Sequence, residues 1–344
     1  MNIQKLTQFL EDNKLPKFRL AQIQKAVFKD GVSSFSEITT LSKDLREKMA
    51  AEMKLLSFDV EKVLVSKNKD TAKALLKLSD GNLMETVLIS PKPGIWSVCI
   101  SCQVGCAMGC RFCATGKIGF KRNLTTEEIT DQVLFWRQYL KNETNAGISG
   151  DVSNIVYMGM GEPFLNWQNV SESIKDLTDP NLYGFGARSL SVSTSGIVEG
   201  IEKISNEFPQ INLAISLHFP NDKKRDHFMP VNRRDNMESL KVALQKYFAK
   251  TKRKVFLEYI MLDGFNDSAL DAKELAAYLK SIGNAHLLHV NLIRYNMTSE
   301  ELKPSSGNRT QAFKAELLKN HINATIRKSL GDEIKGACGQ LAGK

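Results

Sequence analysis

From residue 96 onward, short apolar runs alternate with longer amphipathic stretches. The runs over 96–101, 152–158, 189–193, 211–217, 254–261 and 287–293 have strand length. The stretches over 126–140, 170–177, 197–206, 237–249, 269–282 and 310–320 place apolar residues at helical spacing. This alternation predicts a parallel sheet with crossover helices. Upstream the period changes. Between 57 and 91, Phe58 and Val60, Val63 and Val65, then Ala74, Leu76 and Leu78, then Met84, Thr86 and Leu88 fall two apart. Period two predicts strands, with Asp80-Gly81-Asn82 as a turn. Pro91, Pro93 and Gly94 interrupt the pattern, so the parallel core is expected to begin just after them. In the first 56 residues, Leu20, Ile23, Ala26 and Val27 keep helical spacing, and Ser42 is the expected N-cap of a helix over 42–51. Four units are expected: a small basic helical domain over 1–56, a β extension over 57–91, an α/β core over 92–328 and a tail over 329–344.

No run of about 18 apolar residues predicts a membrane span. The opening Met1-Asn2-Ile3-Gln4-Lys5 lacks the apolar segment of a secretory signal. A cytoplasmic protein is expected, and there disulfides are rare and thiols serve as ligands or catalysts. The formal charge of +9 suits a polyanionic partner. The excess is uneven, since residues 219–254 hold eleven Lys/Arg against four Asp/Glu. Arg225, Arg233, Arg234 and Lys252 are accordingly expected to meet phosphates. The competing reading is a solvated helix face. Lys17, Arg19, Lys25 and Lys29 are interleaved with the apolar positions of the first domain, which reads either as an RNA-docking module or as a packing domain with no partner.

Five of the six cysteines lie between Cys99 and Cys113, and the sixth is Cys338. Cys106, Cys110 and Cys113 are spaced C-x3-C-x2-C. Thiolates suit zinc or iron–sulfur centres. A closed [4Fe–4S] site usually takes four cysteines, so three would leave one iron open to substrate. The zinc reading pairs Cys99-x2-Cys102 with Cys110-x2-Cys113. Only seven residues separate those half-sites, against about 15–20 in zinc ribbons, and Cys106 is left idle. Small polar groups recur at the ends of the predicted strands. Met158-Gly159-Met160-Gly161-Glu162-Pro163 closes the second, Ser193-Thr194-Ser195-Gly196 the third and Ser216-Leu217-His218 the fourth, while Asn296 follows the sixth. In parallel α/β barrels such strand ends form the active face. His218 alone would read as a satisfied buried histidine, and Cys338 alone as an incidental thiol.

The C-x3-C-x2-C loop is similar to that of radical S-adenosylmethionine (SAM) enzymes. The match is closer still over Cys99-Ile100-Ser101-Cys102-Gln103-Val104-Gly105-Cys106, Cys113-Ala114-Thr115-Gly116, Arg122-Asn123-Leu124-Thr125 and Ala337-Cys338-Gly339-Gln340-Leu341. These resemble the RlmN/Cfr family of radical SAM RNA adenosine methyltransferases, over a span from about Phe18 to Ala342. The resemblance implies an α/β fold built on a (βα)6 partial barrel. It implies one [4Fe–4S] cluster on Cys106, Cys110 and Cys113, and two SAM molecules per turnover. Gly161, Glu162, Ser193, Ser216, Leu217, His218 and Asn296 match its SAM-binding positions. Cys338 matches its methyl acceptor, and Cys99 the thiol that resolves an RNA adduct through a transient Cys99–Cys338 disulfide. Glu85 matches its proton acceptor, although alone it reads as a solvated strand carboxylate. Gly336, Gly339 and Gly343 suit a mobile tail.

The implied substrate is an adenosine of 23S rRNA methylated at C2, with the adenosine 3′ of the anticodon in tRNA as a second substrate. A donor such as flavodoxin supplies electrons to a monomer. Pro163 after Glu162 favours C2. Residues 178–182 and 291–296 resemble the Cfr branch, which methylates C8. A zinc-stabilised RNA-binding protein without catalysis is the reading from a different class. Two residues depart from the family pattern: Cys102 stands where serine is usual, and Met297 where proline is common.

Overall fold

The computed structural model describes residues 1–142, 148 and 150–343. The N-terminal unit holds helices α1 (Ile3–Asp12), α2 (Phe18–Gln24) and α3 (Lys43–Glu52). Leu6, Phe9, Ile23, Val27, Phe28 and Met49 close its small core. Ser42 caps α3, its hydroxyl accepting from Leu45 N at 3.4 Å.

Strands β1 (Phe58–Val65), β2 (Thr71–Leu78) and β3 (Leu83–Lys92) form an antiparallel meander. β3 then pairs antiparallel with β4 (Ile95–Cys99), Lys92 lying opposite Ile95. Pro93 and Gly94 are therefore the turn of a hairpin. The parallel part starts just after them, since β4 pairs with the strand Asp151–Tyr157, and the meander runs into it as one sheet.

After β4 comes a two-stranded ribbon, β5 (Gln103–Gly105) with β6 (Phe120–Asn123), and the short helix α4 (Ala114–Ile118) lies between them in sequence. Crossover units follow: α5 (Thr126–Asn142), β7 (Asp151–Tyr157), α6 (Trp167–Thr178), β8 (Leu190–Thr194), α7 (Val198–Glu207) and β9 (Asn212–Ser216). Next are α8 (Asp222–Phe228), α9 (Met237–Lys250), β10 (Val255–Met261), α10 (Ala269–Ile282), β11 (Leu288–Arg294), α11 (Gly307–Lys319) and β12 (Asn323–Arg327). The N-terminal unit docks on α5, where Arg137 donates to Phe28 O at 2.7 Å and Gln138 to Val32 O at 2.8 Å.

One ten-stranded sheet runs β1-β2-β3-β4-β7-β8-β9-β10-β11-β12. Its parallel part, β4 and β7 to β12, has seven strands among the described residues. The sequence reading expected six. The seventh, β12, carries Ala324 and Ile326 in alternation but is too short to stand out beside α11. Alternation fixes the two faces. Tyr259 of β10 packs on Phe313 of α11, with ring centroids 5.1 Å apart, so it faces the helices. Its neighbour Glu258 therefore faces the concave side, where Asn291 of β11 donates to its Oε1 at 2.8 Å. The concave side is polar and leads to the loops at the C-terminal strand ends.

Candidate active site

The cysteine loop begins where β4 ends and lies across the mouth of the partial barrel. Arg111 N donates to Phe228 O at 3.0 Å, and Thr298 Oγ1 donates to Phe112 O at 3.1 Å, so the loop is pinned to the segments after β9 and β11. Two glycines are required here. A Cβ on Gly105 would lie 1.8 Å from Gly119 O, a contact that allows Cys106 N to bond the same carbonyl at 3.0 Å. A Cβ on Gly161, at φ +104, would lie 2.6 Å from Gln103 Cβ. That close approach seats Glu162 beside the loop, with Glu162 N donating to Gln103 Oε1 at 2.9 Å.

Cys106, Cys110 and Cys113 are all half-buried free thiols. Burial pushes the Cys106 thiol up to about 12, and the Glu162 carboxylate adds to the shift. Burial likewise raises Cys110, with Cys113 and Cys106 contributing and Arg225 opposing. Raised thiols close to one another are what a metal centre reverses, since ligation deprotonates them. Among the described residues no three His, Cys, Asp or Glu groups converge as one ion requires. An iron–sulfur cluster imposes no such convergence, because each cysteine binds a different iron. The donor set, three half-buried thiols on a loop that the close approaches at Gly105 and Gly161 hold in place, fits such a cluster. Cys102 is buried at 2 % exposure, its sulfur 3.7 Å from Met160 O.

Around the mouth, Glu162 is buried, and its Oε2 accepts from Ser195 N at 2.7 Å and Ser195 Oγ at 2.8 Å. Burial raises its pKa, and the Ser195 bonds oppose that. Ser193 and Ser216 sit half-buried at the ends of β8 and β9. The Leu217 side chain is fully buried, so it offers only backbone to the mouth. His218 has φ +59 and is buried; its Nδ1 accepts from Ile260 N at 3.1 Å, leaving the proton on Nε2. Burial, then Arg225, lowers its pKa to about 3. Phe112 meets its ring edge-on at 4.9 Å.

The tail after β12 folds back over this mouth. Ala114 N donates to Gly339 O at 2.7 Å, and Thr115 Oγ1 to Leu341 O at 2.6 Å. Asn296, buried while Met297 is exposed, donates to Cys338 O at 3.2 Å and accepts from Ser329 Oγ at 2.6 Å. Glu85 Oε2 accepts from Ala342 N at 2.6 Å and Gly343 N at 3.0 Å. The tail is thus anchored along its length, where its glycines suggested a free one. Glu85 is not solvated either: it is 1 % exposed, and its Oε1 takes Lys73 Nζ at 2.7 Å.

Cys338 remains exposed within the mouth. Desolvation by the surrounding protein raises its pKa, Glu258 adds to that, and Arg327 opposes. Burial raises the Cys99 thiol, and nearby Cys338 raises it further. All six cysteines are free, so a Cys99–Cys338 disulfide is not a feature of this state.

The basic stretch divides. Arg225 is fully buried, donating to Leu217 O at 3.2 Å, to Asn232 Oδ1 at 2.8 Å and to Ser195 O. It braces two site loops and cannot meet a phosphate. Lys252 is exposed but precedes β10, about 20 Å from the mouth at the rise of a strand. Only Arg233 and Arg234 are exposed on the mouth side as expected.

Comparison with known proteins places this geometry. The profile described as "Radical SAM superfamily" matches residues 100–276, and that of the "Ribosomal RNA large subunit methyltransferase N-terminal domain" matches residues 1–55. A Clostridium botulinum protein named "Ribosomal RNA large subunit methyltransferase Cfr" is 41% identical over 98% of this chain and 96% of its own. The chain belongs to the RlmN/Cfr family of radical SAM methyltransferases. A Chloroflexus aurantiacus relative named "Probable dual-specificity RNA methyltransferase RlmN" is 42% identical over 100% of this chain and 92% of its own. The crystal structure of a radical SAM methyltransferase from Sphaerobacter thermophilus superposes with a TM-score of 0.91 at 37% identity, covering 100% of this chain and 98% of the other.

Radical SAM chemistry uses a [4Fe–4S] cluster on three cysteines together with SAM, and the α/β fold with its N-terminal domain is that of the family. Lys73, Glu258 and Arg327 of the site went unread in the sequence, and Arg225 was read as a phosphate contact. For Lys73 a signal existed. The hairpin register that pairs Leu75 with Glu85 and Lys73 with Val87 makes Lys73 and Glu85 diagonal neighbours.

Proposed function

We propose that this chain methylates C2 of an adenosine in 23S rRNA, with the adenosine 3′ of the anticodon in tRNA as a second substrate. The observation that carries the reading is the seating of the tail. It brings Cys338 into the barrel mouth beside Cys99, next to the loop of Cys106, Cys110 and Cys113. Cys106, Cys110 and Cys113 would hold the cluster, and Gly161, Glu162, Ser193, Ser216, Leu217, His218 and Asn296 would hold SAM; bound there, the pair would supply a methyl group and a carbon-centred radical.

The chain's own residues do the rest. Cys338 accepts the methyl group as a thiolate, and Arg327 favours that anion. Once the S-bound carbon has joined adenine and the adduct has given up one electron, which a bound cluster would accept, Glu85 takes the proton leaving the base carbon. Glu85 first gives up its bonds to Ala342 and Gly343, so the tail shifts before this step. The Cys99 thiolate then attacks the Cys338 sulfur, and the S–S bond forms as the C–S bond breaks. The C–S electron pair stays on the exocyclic carbon, which takes up a proton and becomes the methyl group, and a Cys99–Cys338 disulfide remains. Residues 1–56, with Arg233 and Arg234, offer charge to the RNA backbone. The protein works in the cytoplasm as a monomer and draws electrons from a small carrier of flavodoxin type.

The choice of C2 rests on Pro163, since relatives named Cfr and RlmN stand level at 41% and 42% identity. The second reading, C8 methylation, is favoured by the Cfr-like residues 178–182 and 291–296. Mass spectrometry of digested rRNA from cells with and without the protein decides, because 2-methyl- and 8-methyladenosine separate on a column. Loss of 2-methyladenosine in the deletion is expected. Loss of 8-methyladenosine would overturn the position, and loss of neither would overturn rRNA as substrate. Iron with acid-labile sulfide, and not zinc alone, is expected in the purified protein.

A further inference from the structure

Glu85 lies on β3, and its neighbour Thr86 accepts from Trp136 Nε1 of α5 at 3.2 Å. Alternation therefore turns Glu85 to the other face of the sheet, toward the tail. Paired residues of adjacent strands share a face, so the register Lys73–Val87–Cys99 lays a row from β2 to β4 on that same face. Glu85, two residues before Val87, stands beside this row. It faces Lys73 from β2 and Cys99 from β4, while the tail brings the amides of Ala342 and Gly343.

Lys73 and Glu85 are both buried, with Lys73 Nζ 2.7 Å from Oε1. The two carboxylate oxygens thus have different partners. Oε1 is held by the ammonium, and Oε2 accepts from Ala342 N at 2.6 Å and Gly343 N at 3.0 Å. The backbone is fixed as well, since Ser101 Oγ donates to Glu85 O at 2.6 Å. A Cβ on Gly336 would lie 3.5 Å from Lys73 Cβ, so the tail also passes over the lysine. When the tail shifts, Oε2 is the oxygen set free, and Oε1 stays clamped.

A carboxylate buried alone takes up a proton, and a neutral carboxyl cannot act as a base. An ammonium at hydrogen-bond distance favours the anion. A lysine ammonium has no lone pair, so Lys73 cannot take the base proton itself. We infer that Lys73 is the positioning residue of the proton transfer, keeping Glu85 ionised and presenting Oε2 to the adenine carbon, an inference that rests on Glu85 being the proton acceptor. The C–H bond of the base carbon breaks, its electron pair stays in the ring, and the proton goes to Oε2. Glu85 is then a neutral acid beside an unchanged ammonium, which favours release of the proton to water. Nothing is oxidised or reduced in this step.

The test uses whole chains carrying Lys73→Met, Lys73→Arg, Glu85→Gln or Lys73→Met with Glu85→Gln. On metal-free protein, infrared difference spectra against Glu85→Gln read the ionisation of Glu85. The C=O stretch of a protonated carboxyl is expected at neutral pH in Lys73→Met, and a carboxylate in the unsubstituted chain and in Lys73→Arg. On iron-loaded protein given SAM, dithionite and a 23S rRNA fragment holding the target adenosine, denaturing gels follow the decay of the RNA-linked band across pH. Lys73→Met should slow that decay by at least about tenfold at neutral pH and recover it as pH rises, with Lys73→Arg restoring most of the rate. In the Glu85→Gln background, removing Lys73 should slow nothing further. A carboxylate signal in Lys73→Met would overturn the inference, as would slowing that is equal at every pH or that persists in the Glu85→Gln background. If Lys73→Met fails to fold or to load iron, Lys73→Gln decides by the same two readings. Unaltered decay in Glu85→Gln alone refutes Glu85 as proton acceptor separately, because the infrared reading needs no turnover.

Discussion

Replacing Arg225 by methionine separates two accounts of the basic stretch. Methionine keeps much of the volume and removes the donors. Ser195 O and Asn232 Oδ1 then lose their partner inside the protein, whereas Leu217 O keeps Phe219 N at 2.7 Å. A buried acceptor left unsatisfied costs about 1–3 kcal/mol, so two cost roughly 2–5 kcal/mol after partial relaxation. Against this, the variant no longer buries a guanidinium whose pKa burial already lowers. The net loss is about 2–3 kcal/mol. With an unfolding entropy of about 2.1 cal/mol/K per residue, the melting temperature falls by about 3–4 °C. SAM affinity falls too, because Ser195 and Leu217 belong to the loops that Arg225 braces. RNA binding should keep its salt dependence. Were Arg225 a phosphate contact, its loss would flatten log K against log salt by a slope of about 0.7–0.9 and leave melting alone. Thermal melts and filter binding at several salt concentrations read both quantities. An unchanged melting temperature with a flattened slope would refute the burial argument.

Three further outcomes follow from the site. Replacing Cys106, Cys110 or Cys113 by alanine should abolish bound iron and sulfide, whereas Cys102→Ala, whose sulfur faces Met160 O, should retain them; loss of iron from the Cys102 variant would mean that the ligands are misassigned. Cys99→Ala should accumulate RNA linked covalently to the protein and Cys338→Ala should not, because a residue needed late traps the adduct that an early one must form; denaturing gels with and without nuclease read this, and the opposite pattern would reverse the roles. His218 contributes a defined pH slope. Its pKa is about 3 when folded and roughly 6.5 when unfolded, so between those values the unfolded state binds more protons. Stability therefore falls on acidification below pH ~6.5, by about 1.4 kcal/mol per pH unit from this group. His218→Gln should flatten the urea midpoint against pH from about 4 to 6.5, and an unaltered slope would count against a buried neutral imidazole.

The elements that sequence reasoning read well are those whose signal is local. The period-two runs over 57–91 became β1 to β3, and the strand–helix alternation after residue 96 became the parallel sheet. The cysteine spacing located the loop because ligand spacing is itself local. What went unread depends on residues far apart in the chain. Nothing near Arg225 says that Ser195 and Leu217 will enclose it, so a charged residue in a charged run reads as surface. Glu85 looks solvated until Lys73 and the amides of Ala342 and Gly343, more than 250 residues away, are brought to it. The glycines of the tail signalled freedom, yet the bonds that fix it come from Glu85, Ala114, Thr115 and Asn296.

Cys113 is the last cysteine of the loop and also the N-cap residue of α4, the helix whose first two residues hold the tail. Metal loading and the seating of the acceptor thiol therefore share one short lever. A group held at Cys113 would be felt at Ala114 and Thr115, and through them at Gly339, Leu341 and the backbone beside Cys338, while Glu85 and Asn296 hold the rest of the tail independently of that cysteine.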